Sequence, residues 1–141
     1  MNRVFRVSED REILASEWGD NDNPLVIMLH GGGQTRHSWK GVAAKIANLG
    51  FHVIAHDLRG HGESFWDHDG DYTFDAHRDD LVRIIQQLGK KASLVGASLG
   101  GMISLSLAGH EEESKYCSGL IMVDIGMRPN DEGSDLSLIH I

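Results

Sequence analysis

Gly96-Ala97-Ser98-Leu99-Gly100 decides how this chain is read. It follows the apolar run Ala92-Ser93-Leu94-Val95 and precedes Gly101-Met102-Ile103-Ser104-Leu105-Ser106-Leu107-Ala108, whose composition predicts a helix. A strand, a turn of the form G-x-S-x-G and a helix make a nucleophile elbow. A serine at the tip of so tight a turn takes a strained backbone conformation, and the chain two residues to either side passes close to it. Only glycine, lacking Cβ, fits those flanking positions cheaply. The turn lifts the Ser98 hydroxyl clear of the sheet, beside a helix N-terminus where free N–H groups and the helix dipole favour negative charge. The competing reading is a glycine-rich turn with an incidental serine. The strand before it and the helix after it favour the elbow.

A second motif lies upstream. Leu25-Val26-Ile27-Met28-Leu29 is apolar without polar alternation, as a parallel strand buried on both faces should be. It runs into His30-Gly31-Gly32-Gly33. Glycines there let the backbone approach a substrate and aim N–H groups at a developing oxyanion, with a second donor from the residue after the nucleophile. That second donor is Leu99; the first is read as Gly32, with Gly33 as the alternative. A phosphate-cradling loop is disfavoured, because no Lys-Ser/Thr follows and G-x-G-x-x-G is absent.

Outward from these motifs, strands and helices alternate. Residues 3–7 and 12–18 read as antiparallel strands joined by Ser8-Glu9-Asp10-Arg11, and a polar turn through Pro24 leads to strand 25–29. Trp39, Val42, Ala43, Ile46 and Ala47 recur at helical spacing, with Gly50 as the stop. Strand 52–55 precedes a long loop to Tyr72. A second helix carries Phe74, His77, Leu81, Ile84, Ile85 and Leu88 on one face and ends at Gly89. Strand 92–96, the elbow helix and strand Leu120-Ile121-Met122-Val123 follow. The alternation predicts an α/β fold, a mostly parallel sheet with helices on both faces.

The elbow, the His30-Gly31-Gly32-Gly33 loop and Asp57-Leu58-Arg59-Gly60-His61-Gly62-Glu63-Ser64 stand in the order and spacing of one family. Over roughly residues 2 to 128 the chain resembles the N-terminal half of a serine α/β-hydrolase. The resemblance implies hydrolysis of an ester or related acyl substrate through a Ser98 acyl-enzyme. Carbon–carbon bond hydrolysis, perhydrolysis and a non-catalytic binding module are the alternatives. Serine at the elbow argues against relatives with an aspartate nucleophile. The 57–64 segment resembles the family's turn after the fourth strand, where Asp57 and Arg59 are expected to brace the turn rather than touch substrate. His56 stands where such proteins often have proline.

Composition sets limits. The chain has 141 residues, enough for one domain with a real core. A net charge of −8 without a basic run disfavours nucleic acid. The single cysteine, Cys117, excludes an internal disulfide, fits a reducing compartment and is expected to pack as a small apolar residue near a strand start. No stretch approaches a membrane span or a signal-peptide core, so a soluble, cytoplasmic protein with a small-molecule acyl substrate and no membrane partner is expected. Nine histidines raise a metal hypothesis, but no helical H-x-x-x-H pair or cysteine ligand set accompanies them. His30 and His77 read as bracing or packing residues, and no metal or cofactor is expected.

A serine is a weak nucleophile until a histidine takes its proton and an acid orients that histidine. In the family the order is Ser, then Asp or Glu, then His, so the missing strands, helices, cap and histidine are expected beyond this chain. Residues 1–135 then form a partial core domain. Leu136-Ser137-Leu138-Ile139-His140-Ile141 resembles translated sequencing-adapter sequence, and 136–141 is expected to be a non-native tail. Strand 120–123 would be left as a bare edge. Asp124 is a candidate acid, set against a strand-end residue bracing a loop. Ser98, Asp124 or Asp135, and His140 stand in triad order, but His140 is disfavoured as the base because it lies in that tail.

Overall fold

The computed structural model describes residues 1–124 and 137–140; at Asp124 and at 137–140 the description is of the backbone alone. Its strands are β1 (Asn2–Ser8), β2 (Arg11–Trp18), β3 (Leu25–Leu29), β4 (His52–His56), β5 (Ala92–Ala97), β6 (Cys117–Asp124) and β7 (Ser137–His140). The helices are α1 (Lys40–Asn48), α2 (Phe74–Leu88) and α3 (Leu99–Ala108). They form one sheet in the order β1-β2-β4-β3-β5-β6-β7. The block β4-β3-β5-β6 is parallel, while β1–β2, β2–β4 and β6–β7 pair antiparallel.

This order decides which face each helix covers. From β3 the chain crosses to β4 on one side, then returns past β3 to β5 and on to β6 on the other. Right-handed crossovers in opposite directions put α1 on one face and α2 with α3 on the other. Strand β3 records the split residue by residue, because side chains alternate between faces. Leu25, Ile27 and Leu29 join the core under α2 and α3, with Leu81, Ile84 and Ile103. Val26 and Met28 join the smaller core under α1, with Ala43, Val53 and Ala55. All five residues of β3 are buried.

Helix α2 is bounded by its own chemistry. The Thr73 hydroxyl accepts the Ala76 N–H at 3.1 Å, and Gly89 closes the helix at φ 73°. His77, Leu81, Ile84 and Ile85 form its buried stripe, but Phe74 is 46% exposed because it sits on the first turn, before the stripe meets the sheet. Helix α1 departs further from its expected face. Trp39 belongs to a preceding 3₁₀ turn (Arg36–Trp39), Val42 is 49% exposed, and only Ala43 is fully buried.

The bare edge expected at 120–123 is corrected. Strand β7 runs along β6 from Asp124↔Ser137 to Ile121↔His140. Unpaired N–H and C=O groups on an edge are a template for any extended segment within reach, and the 137–140 backbone takes that role. Among the described residues no helix is long and apolar enough to cross a membrane.

Candidate active site

The site lies at the C-terminal ends of β3 and β5, where the chain's crossovers diverge and a crevice opens. Ser98 joins β5 to α3 with φ 52° and ψ −115°, and it is the one non-glycine residue with positive φ among those described. Neighbouring backbone holds that strain. The Ser98 N–H donates to the Val123 carbonyl at 3.1 Å, and the Ser98 carbonyl accepts the Met102 N–H at 3.0 Å. The flanking glycines are required by contact. A Cβ on Gly96 would stand 2.6 Å from the Gly101 nitrogen, and one on Gly100 would stand 2.7 Å from the His30 carbonyl oxygen. Through Gly100 the elbow helix therefore rests directly on the end of β3.

The glycine loop forms the facing wall. Gly31 to Gln34 is a turn closed by the Gln34 N–H on the Gly31 carbonyl at 3.1 Å, with Gly33 at φ 78° in its second central position. The Gly31 N–H donates to the Gln34 side-chain oxygen at 3.0 Å, and the Gly33 N–H donates to His61 Nε2 at 3.1 Å. Among the described residues the Gly32 N–H has no partner, and neither has that of Leu99 on the first turn of α3. Gly31, Gly32, Gln34, Ser38, Trp39, Ala97 and Ser98 line a cleft of about 310 Å³.

The Asp57–Ser64 segment underpins this wall. Asp57 accepts the Arg36 N–H at 2.7 Å and the Glu63 N–H at 3.0 Å, and it pairs with the Arg36 guanidinium. Burial alone would raise its pKa, but these donors outweigh burial and hold the carboxyl below its usual value. Arg59 pairs with Asp80 through Nε at 2.7 Å and also donates to the Asp71 carbonyl. Both side chains thus brace the turn. His30 fastens the loop from beneath, accepting the Leu58 N–H at Nε2 and donating from Nδ1 to the Gly31 carbonyl. That pairing assigns its neutral tautomer, and burial lowers its pKa. Burial, aided by His30, pushes His56 down to about 3; burial and Arg59 bring His77 to about 4. Neutral packing histidines fit this environment.

Gly32 and Ser98 therefore line one cleft, and the Leu99 side chain comes within 4.0 Å of where a Cβ on Gly32 would stand. Asp124 ends β6, one residue beyond Val123, which aligns with Ala97; its side chain lies outside the described residues, as does Asp135. The β7 register sets His140 opposite Ile121, three positions down the sheet from Asp124. Cys117 opens β6 half-buried, and burial raises its thiol pKa. Among the described residues no cluster of His, Cys, Asp or Glu could hold a metal ion.

Sequence reasoning missed Gln34, Arg36 and the role of His61. Gln34 had a local signal, since a polar side chain closing a glycine turn reaches back three residues. Arg36 and His61 find partners 21 and 28 residues away, which no spacing rule reports.

Residues 24–139 match the family model described as alpha/beta hydrolase fold. The chain belongs to this family. An esterase of Mycobacterium tuberculosis is 39% identical over 114 residues, covering 80% of this chain and 36% of that protein. A bifunctional esterase/perhydrolase of Acinetobacter calcoaceticus is 34% identical over 91 residues, covering 64% of this chain and 33% of that protein. Among solved structures, a thioesterase domain from the curacin biosynthetic pathway superposes with a TM-score of 0.79 at 28% identity, covering 89% of this chain and 46% of that one. The α/β-hydrolase chain thus spans about a third of the length of these curated relatives.

Proposed function

We propose that the whole protein is a serine hydrolase acting on an ester or related acyl substrate. The observation that carries this reading is the Ser98 backbone, held at φ 52° at the N-terminus of α3 and lining one cleft with Gly32. Strained backbone concentrates where function repays it. Ser98 Oγ attacks the acyl carbonyl while a histidine accepts its proton, and the Gly32 and Leu99 N–H groups hold the oxyanion. The collapsing intermediate expels the alcohol, which takes the proton, and leaves an acyl-Ser98. Water, deprotonated by the same histidine, then releases the acid. We place that histidine outside residues 1–141 and carry Asp124 as one candidate for the acid.

Perhydrolysis is the second reading, favoured by the esterase/perhydrolase relative. It differs only in the final acceptor, hydrogen peroxide in place of water on the same acyl-enzyme. Turnover of p-nitrophenyl acetate by the whole protein tests both. Ser98→Ala should lower kcat by about 10⁴- to 10⁶-fold with little change in melting temperature. Turnover near wild type would remove Ser98 as the nucleophile, and peracid formation on adding peroxide would favour the second reading.

A further inference from the structure

The three glycine N–H groups of the loop are not equivalent, and side chains make them so. Gly31 is held by Gln34 Oε1 at 3.0 Å and Gly33 by His61 Nε2 at 3.1 Å, while Gly32 has no partner among the described residues. His61 is itself fixed. Its Nδ1–H donates to the Arg59 carbonyl oxygen at 3.1 Å, and its ring packs against His30 with centroids 5.0 Å apart. Arg59 is anchored in turn on Asp80. A chain of contacts therefore runs from α2 through the 57–64 segment to the glycine loop.

We infer that His61 and Gln34 are positioning residues: by claiming the N–H groups on either side, they orient the turn so that Gly32 alone offers a donor to the cleft. A loop of three successive glycines has wide conformational freedom and would otherwise sample orientations in which Gly31 or Gly33 faces the substrate. Oxyanion donors act through pre-organisation, so a loop that must reorganise during reaction loses rate rather than ground-state affinity. The neutral imidazole is essential to the clamp, because Nε2 must present a lone pair to the Gly33 N–H. The inference rests on the serine-hydrolase reading, and the test separates the two.

In the whole protein, hydrolysis of p-nitrophenyl acetate is measured for wild type, Ser98→Ala, His61→Phe and His61→Gln, with melting temperatures alongside. Phe keeps the ring but removes the acceptor, whereas Gln keeps an acceptor oxygen. His61→Phe should lower kcat by roughly 10- to 100-fold with KM within about twofold, and His61→Gln should recover most of the loss. Wild-type kcat in His61→Phe, or a loss in His61→Gln as deep as in Phe, would overturn the clamp while leaving Ser98 untouched. Activity retained by Ser98→Ala would instead remove the reading beneath it, and the inference with it. If His61→Phe does not fold, hydrogen exchange at the wild-type Gly33 amide decides: slow exchange supports the clamp, and exchange as fast as in an open glycine loop overturns it.

Discussion

The elbow and the glycine loop face each other across one cleft, yet different forces hold them. At the elbow, backbone presses on backbone: Gly96 against Gly101, and Gly100 against the end of β3, with Ser98 strained between. The loop has open space around Gly33 and no atom nearer than 3.8 Å to a Cβ on Gly32. Hydrogen bonds to Gln34 and His61, and one from His30, hold its shape instead. A sterically locked turn keeps its geometry as long as the sheet exists. A turn held by side chains depends on each of them staying in place, His61 from 28 residues away.

Breaking the elbow should therefore have the largest effect. Gly100→Val forces side-chain atoms into the Leu29 and His30 carbonyls, and neither strand nor helix has room to yield. The whole protein should lose its cooperative melt along with turnover; a purified variant melting like wild type would dissolve the steric account. Next comes the support of the loop. Asp57→Asn leaves the buried Arg36 guanidinium with only the exposed Glu63 as counter-charge, and breaking a buried pair costs up to about 3–5 kcal/mol. Chemical denaturation should show a lower midpoint and an unchanged slope, whereas an unchanged midpoint would mean Asp57 does not support the turn.

Acid should sharpen the contrast more gently. His56 and His77 have folded pKa values of about 3 and about 4 against an ordinary 6.5, with burial the leading cause in each. Between about pH 6.5 and pH 4 the unfolded chain takes up protons that the folded one refuses, so stability falls as pH falls across that window. Melting temperature should drop from pH 7 to pH 4, and His77→Gln should flatten part of the fall. A melting temperature constant over the range would show that these histidines titrate normally.

The same contrast explains what the sequence disclosed. Ser98, Gly96, Gly100 and the helix from Phe74 to its stop at Gly89 were legible because their constraints act within a few residues: a tight turn needs glycine, and a helix needs a periodic face and a stop. The assignment of strands β3 to β6 followed from apolar runs, and the burial of β3 on both faces from its lack of polar alternation, whereas which of its residues joins which core appears only in the structure. Val42 and Phe74 were placed on buried faces because periodicity cannot report how much sheet a helix covers. Strand β7 was missed because edge pairing depends on proximity in space rather than local pattern. His61 was quoted within a motif without its purpose, because its partner Gly33 lies 28 residues upstream.

The most direct measurement is a crystal structure of the whole protein inhibited by a fluorophosphonate. Phosphorus should be bonded to Ser98 Oγ and the phosphoryl oxygen should lie about 2.7–3.1 Å from the N–H nitrogens of Gly32 and Leu99, with Gly33 still on His61. An adduct on another residue, or a phosphoryl oxygen held by Gly33 after it has left His61, would contradict this arrangement.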